Sequence, residues 1–213
     1  MLAGAPGCGQ SDAPLPKTSP AGREAAAPHS RLKIVVLGDS LTAGLGLPAD
    51  QAFPALLQQR INRAQLPFDV VNAGVSGDTS AGGLRRLNWV LSDDVHVLVV
   101  ALGANDGLRG LPVAEMRRNL TAIVESARKR GVIVLVAGME APPNMGAEYT
   151  SAFRAVFRDV AQEHGATLLP FLLDGVAGDP ALNQADGIHP NAEGARRVAD
   201  LVWRALEPLL VHT

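Results

Sequence analysis

The stretch Val95-His96-Val97-Leu98-Val99-Val100-Ala101-Leu102 constrains the fold more than any other. It is almost unbroken in apolar residues, with no alternation of apolar and polar positions. Such a strand has to be covered on both faces, which is the condition of a strand inside a parallel sheet. Shorter apolar runs recur at 32–37, 68–73, 132–137 and 167–169. Between them lie segments of helical periodicity, from about Phe53 to Arg63, Thr79 to Leu91, Pro112 to Lys129, Ser151 to His164 and Ala192 to Glu207. Pro54 near the start of the first, Gly131 behind the third and Gly165 behind the fourth read as helix punctuation. Strands alternating with helices predict an α/β fold: a three-layer α/β/α sandwich with a central parallel sheet and right-handed crossovers.

The chain has 213 residues, which suits one domain around a single core. Hydrophobic residues make up 47% and aromatic residues only 4%, so that core must be aliphatic. Residues 1–30 carry prolines at 6, 14, 16, 20 and 28 and little to bury, and read as a disordered tail before a domain spanning 31–213. Cys8 is the sole cysteine, which rules out an intrachain disulfide and a Cys-rich metal site. Small apolar residues precede it and a Pro/Ala/Ser/Gly tether follows, as at a lipid-anchored cysteine. The missing basic segment and the short apolar stretch support instead a plain thiol in a disordered tail, and both readings stay open. No run approaches the ~18 apolar residues of a membrane span. A formal net charge of −2 gives no electrostatic case for nucleic acid. Arg85-Arg86, Arg117-Arg118 and Arg128-Lys129-Arg130 fall in helical stretches and read as solvated faces or helix-end charge.

The candidate chemistry begins where the first strand stops. Gly38-Asp39-Ser40-Leu41 places a serine at the strand's carboxyl end, where open α/β sheets bind ligands. A serine hydroxyl is a poor nucleophile until a base takes its proton. His189, in Asp186-Gly187-Ile188-His189-Pro190-Asn191, is the candidate base, and Asp186 is close enough in sequence to orient the imidazole. Gly77, in Ser76-Gly77-Asp78-Thr79, offers a bare backbone N–H, and Asn105, in Gly103-Ala104-Asn105-Asp106, offers a side-chain amide. Read singly, Gly77 is a tight turn, Asn105 a loop cap and Asp186/His189 a helix start. Gly74 competes with Gly77, and is read as a strand-end turn. Asp39 and Asp106 are read as loop supports. No set of ligands is spaced for a metal, and no Gly-x-Ser-x-Gly elbow is present.

Taken in order, these four blocks resemble the SGNH, or GDSL, hydrolase superfamily. Gly38 to Gly44, Ser76 to Ser80, Asn105 to Gly110 and Asp186 to Asn191 are most similar to its bacterial arylesterase, acyl-CoA thioesterase and lysophospholipase group. The resemblance runs from about Leu32 to the end. It implies a flavodoxin-like strand order with the first strand central. It also implies a Ser40/His189/Asp186 triad, and an oxyanion hole formed by Ser40 N–H, Gly77 N–H and the Asn105 amide, with neither cofactor nor metal. The implied substrates are small esters or thioesters: aryl esters, acyl-CoA or lysophospholipid. A carbohydrate O-acetylesterase on the same triad is the alternative. Leu108, Leu111 and Met145, with the loop from Met139 to Tyr149, are expected to line the acyl pocket. Relatives of this kind and the Cys8 tail together make export the expectation, as a monomer or small homo-oligomer.

Overall fold

The computed structural model describes residues 1–4, 31–92 and 94–210. Cys8 and most of the N-terminal tail lie outside the described residues. Five strands, β1 (Leu32–Gly38), β2 (Phe68–Gly74), β3 (Val95–Ala101), β4 (Ile133–Ala137) and β5 (Thr167–Leu169), form one sheet. Their order is β2-β1-β3-β4-β5, with every neighbouring pair parallel. This is the flavodoxin-like order, but the first strand is not at its centre as the resemblance implies. The midline strand is β3, the one with the unbroken apolar run, and β1 sits one place in from the β2 edge. Val97, Leu98 and Val99 have no exposed surface, as an apolar run without alternation requires.

Seven helices are described: α1 (Ser40–Ala43), α2 (Phe53–Arg63), α3 (Ser80–Val90), α4 (Ala104–Leu108), α5 (Val113–Lys129), α6 (Ala147–Glu163) and α7 (Ala192–Leu210). The helices α2 and α7 pack together on one face of the sheet, and α3, α5 and α6 cover the other. Buried side chains of α2 (Leu57, Ile61), α5 (Leu120, Ile123) and α7 (Val202, Leu206) close the aliphatic core from both sides. No described helix is long and apolar enough to cross a membrane.

Two helix boundaries differ from those expected, and two short helices are additional. The helix α6 starts at Ala147 rather than near Ser151, directly behind a 3₁₀ turn at Pro143–Met145. The helix α7 continues through Pro208 to Leu210, because a proline in the last turn gives up one donor while Leu206 and Leu210 stay buried against the core. The short helices α1 and α4 are too brief for hydrophobic periodicity to register. These two follow β1 and β3, at the carboxyl edge of the sheet, and carry Ser40 and Asn105.

Candidate active site

Ser40 is the first residue of α1. The Asp39 carboxylate caps that helix, with Oδ1 accepting the Leu41 N–H at 3.0 Å. Across the sheet edge, His189 Nε2 lies 2.9 Å from Ser40 Oγ, and His189 Nδ1 lies 2.7 Å from Asp186 Oδ2. The Asp186 carboxylate also accepts the backbone N–H groups of Ile188 (2.9 Å) and His189 (3.0 Å) through Oδ1. Those two backbone donors, then the imidazole, hold its pKa down at about 2. An ionised Asp186 can only accept. The Nδ1 proton is thereby assigned to the Asp186 bond, and Nε2 is left free to accept from Ser40 Oγ–H.

The segment holding Asp186 and His189 is a closed turn. Gly187 N–H donates to Gln184 O at 2.9 Å, and Gln184 N–H donates to His189 O at 2.7 Å. Asn191 then caps α7, its Oδ1 accepting from Glu193 and Gly194. Gln184 also reaches across to the serine loop, Nε2 donating to Leu45 O at 2.7 Å. Nothing in the spacing of the sequence marks this glutamine, because its partner is 139 residues away.

The candidate oxyanion donors converge on the same edge. Gly77 has φ +81°, in the left-handed region that favours glycine, and its carbonyl accepts from Arg109 Nη2 at 2.8 Å. Asn105 Nδ2 donates to Asp78 O at 2.9 Å and to Asp39 Oδ2 at 3.3 Å. Two oxygen acceptors on one side fix the amide's orientation with the nitrogen toward Ser40's loop. Asp39 is 1% exposed, and burial pushes its carboxyl up to about 6 against the opposing pull of the Leu41 N–H, the Asn105 amide and His189. Asp106 is a loop support as expected. It accepts from Ser80 N–H (2.7 Å) and Oγ–H (2.6 Å), and so ties α4 to the start of α3.

A cleft of about 730 Å³ opens from these groups. Ser40, Gly77, Asn105 and His189 stand at its chemical end, and Leu45, Leu108, Met139, Phe171, Leu173 and Ile188 line it. Leu108 is therefore where the sequence predicts it, and Ala104 also borders the cleft. Leu111 and Met145 are not in it. Met145 lines a separate hollow with Val113 and Tyr149, and Tyr149 Oη holds the Leu111 carbonyl at 2.8 Å. Met145 belongs to the 3₁₀ turn ahead of α6, and the Tyr149 bond ties the Leu111 backbone to the first turn of that helix. Of the loop 139–149, only its first half, Met139 to Pro143, faces the cleft. Among the described residues, no group of three or more His, Cys, Asp or Glu side chains is placed to hold a metal ion.

Comparison with known proteins agrees with this fold. The chain is 46% identical over 178 residues to an esterase TesA of Pseudomonas aeruginosa, covering 83% of this chain and 89% of that protein. It is 38% identical over 180 residues to thioesterase 1/protease 1/lysophospholipase L1 of Escherichia coli, covering 84% and 85%. A crystal structure of TesA superposes with a TM-score of 0.81 at 44% identity, covering 84% of this chain and 99% of that one. The profile of the GDSL-like lipase/acylhydrolase family matches residues 36–197, from the serine-bearing strand to the helix behind the histidine. The sequence match thus spans every group gathered around the cleft, and the chain belongs to the GDSL-like lipase/acylhydrolase family.

Proposed function

We propose that the protein is a serine hydrolase that cleaves carboxylic esters or thioesters through an acyl-enzyme on Ser40. The unbroken line from Ser40 Oγ through the imidazole to the Asp186 carboxylate, at 2.9 and 2.7 Å, carries this reading. His189 Nε2 takes the hydroxyl proton as Oγ bonds to the substrate carbonyl carbon. The same nitrogen then returns the proton to the departing alcohol or thiol as its bond to that carbon breaks. Water repeats the sequence in reverse roles, with His189 as base and Ser40 as leaving group. The negative oxygen of each tetrahedral intermediate is received by Ser40 N–H, Gly77 N–H and the Asn105 amide. The amide proton now directed at Asp39 sits in the longer of its two bonds, and is the one released to the substrate.

The apolar walls favour an acyl chain as occupant, in keeping with relatives named esterase and thioesterase/lysophospholipase. A sugar would find only Phe171 as an aromatic ring for stacking among the described lining residues, which weighs against carbohydrate O-acetyl substrates. Hydrolysis of p-nitrophenyl esters from acetate to palmitate, wild type beside Ser40→Ala, tests both parts. The expected result is activity abolished in the variant and, in the wild type, rising beyond acetate. Near-wild-type activity of Ser40→Ala would overturn the nucleophile, and a maximum at acetate would overturn the acyl-chain assignment.

A further inference from the structure

Arg86 stands in the second turn of α3, where sequence alone reads it as a solvated face or helix-end charge. The structure shows it turned inward. Its Nε donates to Asp78 Oδ2 at 2.7 Å and its Nη2 donates to the Gly38 carbonyl at 2.9 Å. The guanidinium side chain is 18% exposed and the Asp78 side chain 16%, so the pair is largely withdrawn from water. Surface ion pairs elsewhere are much more open, such as Arg118–Glu115 at 69% and 59%. A withdrawn pair is screened little and held in one geometry, whereas open pairs contribute little.

The partners of this guanidinium are the junctions of the site. Gly38 is the last residue of β1, directly ahead of Asp39 and Ser40, and its carbonyl also accepts the Val75 N–H at 3.0 Å, just ahead of Gly77. Asp78 directly follows Gly77, and its own carbonyl receives the Asn105 amide at 2.9 Å. One planar side chain therefore joins the loop after β1 to the loop after β2, and through Asp78 it sets the acceptor that aims Asn105 from the loop after β3. From this arrangement we infer that Arg86 is the positioning residue of the oxyanion hole. It keeps three donors, drawn from three separate loops, converged on one point. The inference rests on the hydrolase reading above.

Arginine is required here for a geometric reason. Its fork spans two acceptors in fixed directions, and a lysine ammonium, a point charge on a flexible stem, satisfies one of them at a time. Donors displaced by ~1 Å lose about 10²-fold in rate while binding of the acyl chain, made elsewhere in the cleft, is spared. Arg86→Ala and Arg86→Lys should each lower kcat on p-nitrophenyl butyrate by about 10- to 100-fold, with KM changed by less than about threefold.

Arg130→Ala serves as the structural control. Arg130 likewise bridges two acceptors, Leu91 O and Asn88 Oδ1, far from the cleft, and its loss should lower the melting temperature with kcat intact. The second readout is the Asn105 side-chain amide resonance in protein labelled at asparagine. It should shift in Arg86→Lys and stay in place in Arg130→Ala, whichever ester is the substrate. An unmoved Asn105 resonance, or kcat within twofold of wild type at temperatures well below melting, overturns the inference. A wild type inert toward every ester, with the resonance still shifted, counts against the hydrolase reading instead.

Discussion

At the scale of single residues, Asp39 is the group whose chemistry departs furthest from its sequence setting. It is buried, it caps the helix that begins with the nucleophile, and its carboxyl titrates near 6 because burial disfavours its charge. The native protein therefore holds this proton to higher pH than the unfolded chain does. The stability this lends is complete below about pH 3.8 and is lost as pH rises through about 6, on the order of 3 kcal/mol in all. Denaturant unfolding of Asp39→Asn and wild type at pH 4 and pH 7 should show the variant gaining on wild type over that interval. A difference that does not change with pH refutes the assignment. Asp186 has the opposite sign: its depressed carboxyl stays charged until pH falls toward about 2, so it keeps orienting His189 throughout the acid range. The triad was legible only through the resemblance carried by the four blocks in order, since Asp186 and His189 read singly are an ordinary helix start. Arg86, Gln184 and the Asp39–Asn105 contact were not, since each depends on a partner from a distant segment and none leaves a local pattern.

The elements show why two glycines three positions apart, Gly74 and Gly77, have separate duties. Gly77 is needed for its left-handed backbone, and a side chain there would meet little except Arg109 at 3.6 Å. Gly74 ends β2 against α1, and a Cβ at that position would fall 2.3 Å from Ala43 N and 2.8 Å from Ala43 Cα. Backbone atoms cannot swing aside, so Gly74→Ala must push the helix that begins with Ser40. The expected result is a loss of about 1–3 kcal/mol in thermal unfolding together with a fall in kcat, and an unchanged melting temperature would refute the close approach. The strands and long helices were read from the sequence to within a few residues, because apolar runs and periodicity are strong over such lengths. The helices α1 and α4 escaped for want of length, and they are the ones that seat Ser40 and Asn105. Met145 was misplaced for a related reason, since it sits in a 3₁₀ turn ahead of α6 that no periodic pattern announces, and Leu111 because its backbone is held by Tyr149 from a segment 38 residues away.

In the whole molecule, the nucleophile and its base come from opposite ends of the folded chain, Ser40 and His189 being 149 positions apart. They meet only because α7 docks beside α2 and carries the histidine segment back to the sheet edge. Leu206→Ala removes a fully buried side chain from that docking face. It should cost about 2–5 kcal/mol, seen as a lower melting temperature, with esterase activity disappearing along the same thermal transition as the circular dichroism signal. Activity persisting above that transition would show that the site survives without the docked helix. The acid and the base of the triad, by contrast, share one closed turn, with Asp186 fastened to the backbone of the very histidine it orients. Base and orienting acid thus travel as a single cassette, and the one adjustable dimension of the machine is the gap between that cassette and the serine loop. Exchanging the segment 184–191 between relatives would transplant a finished proton relay in one piece, and the recipient would have only its distance to Ser40 left to tune.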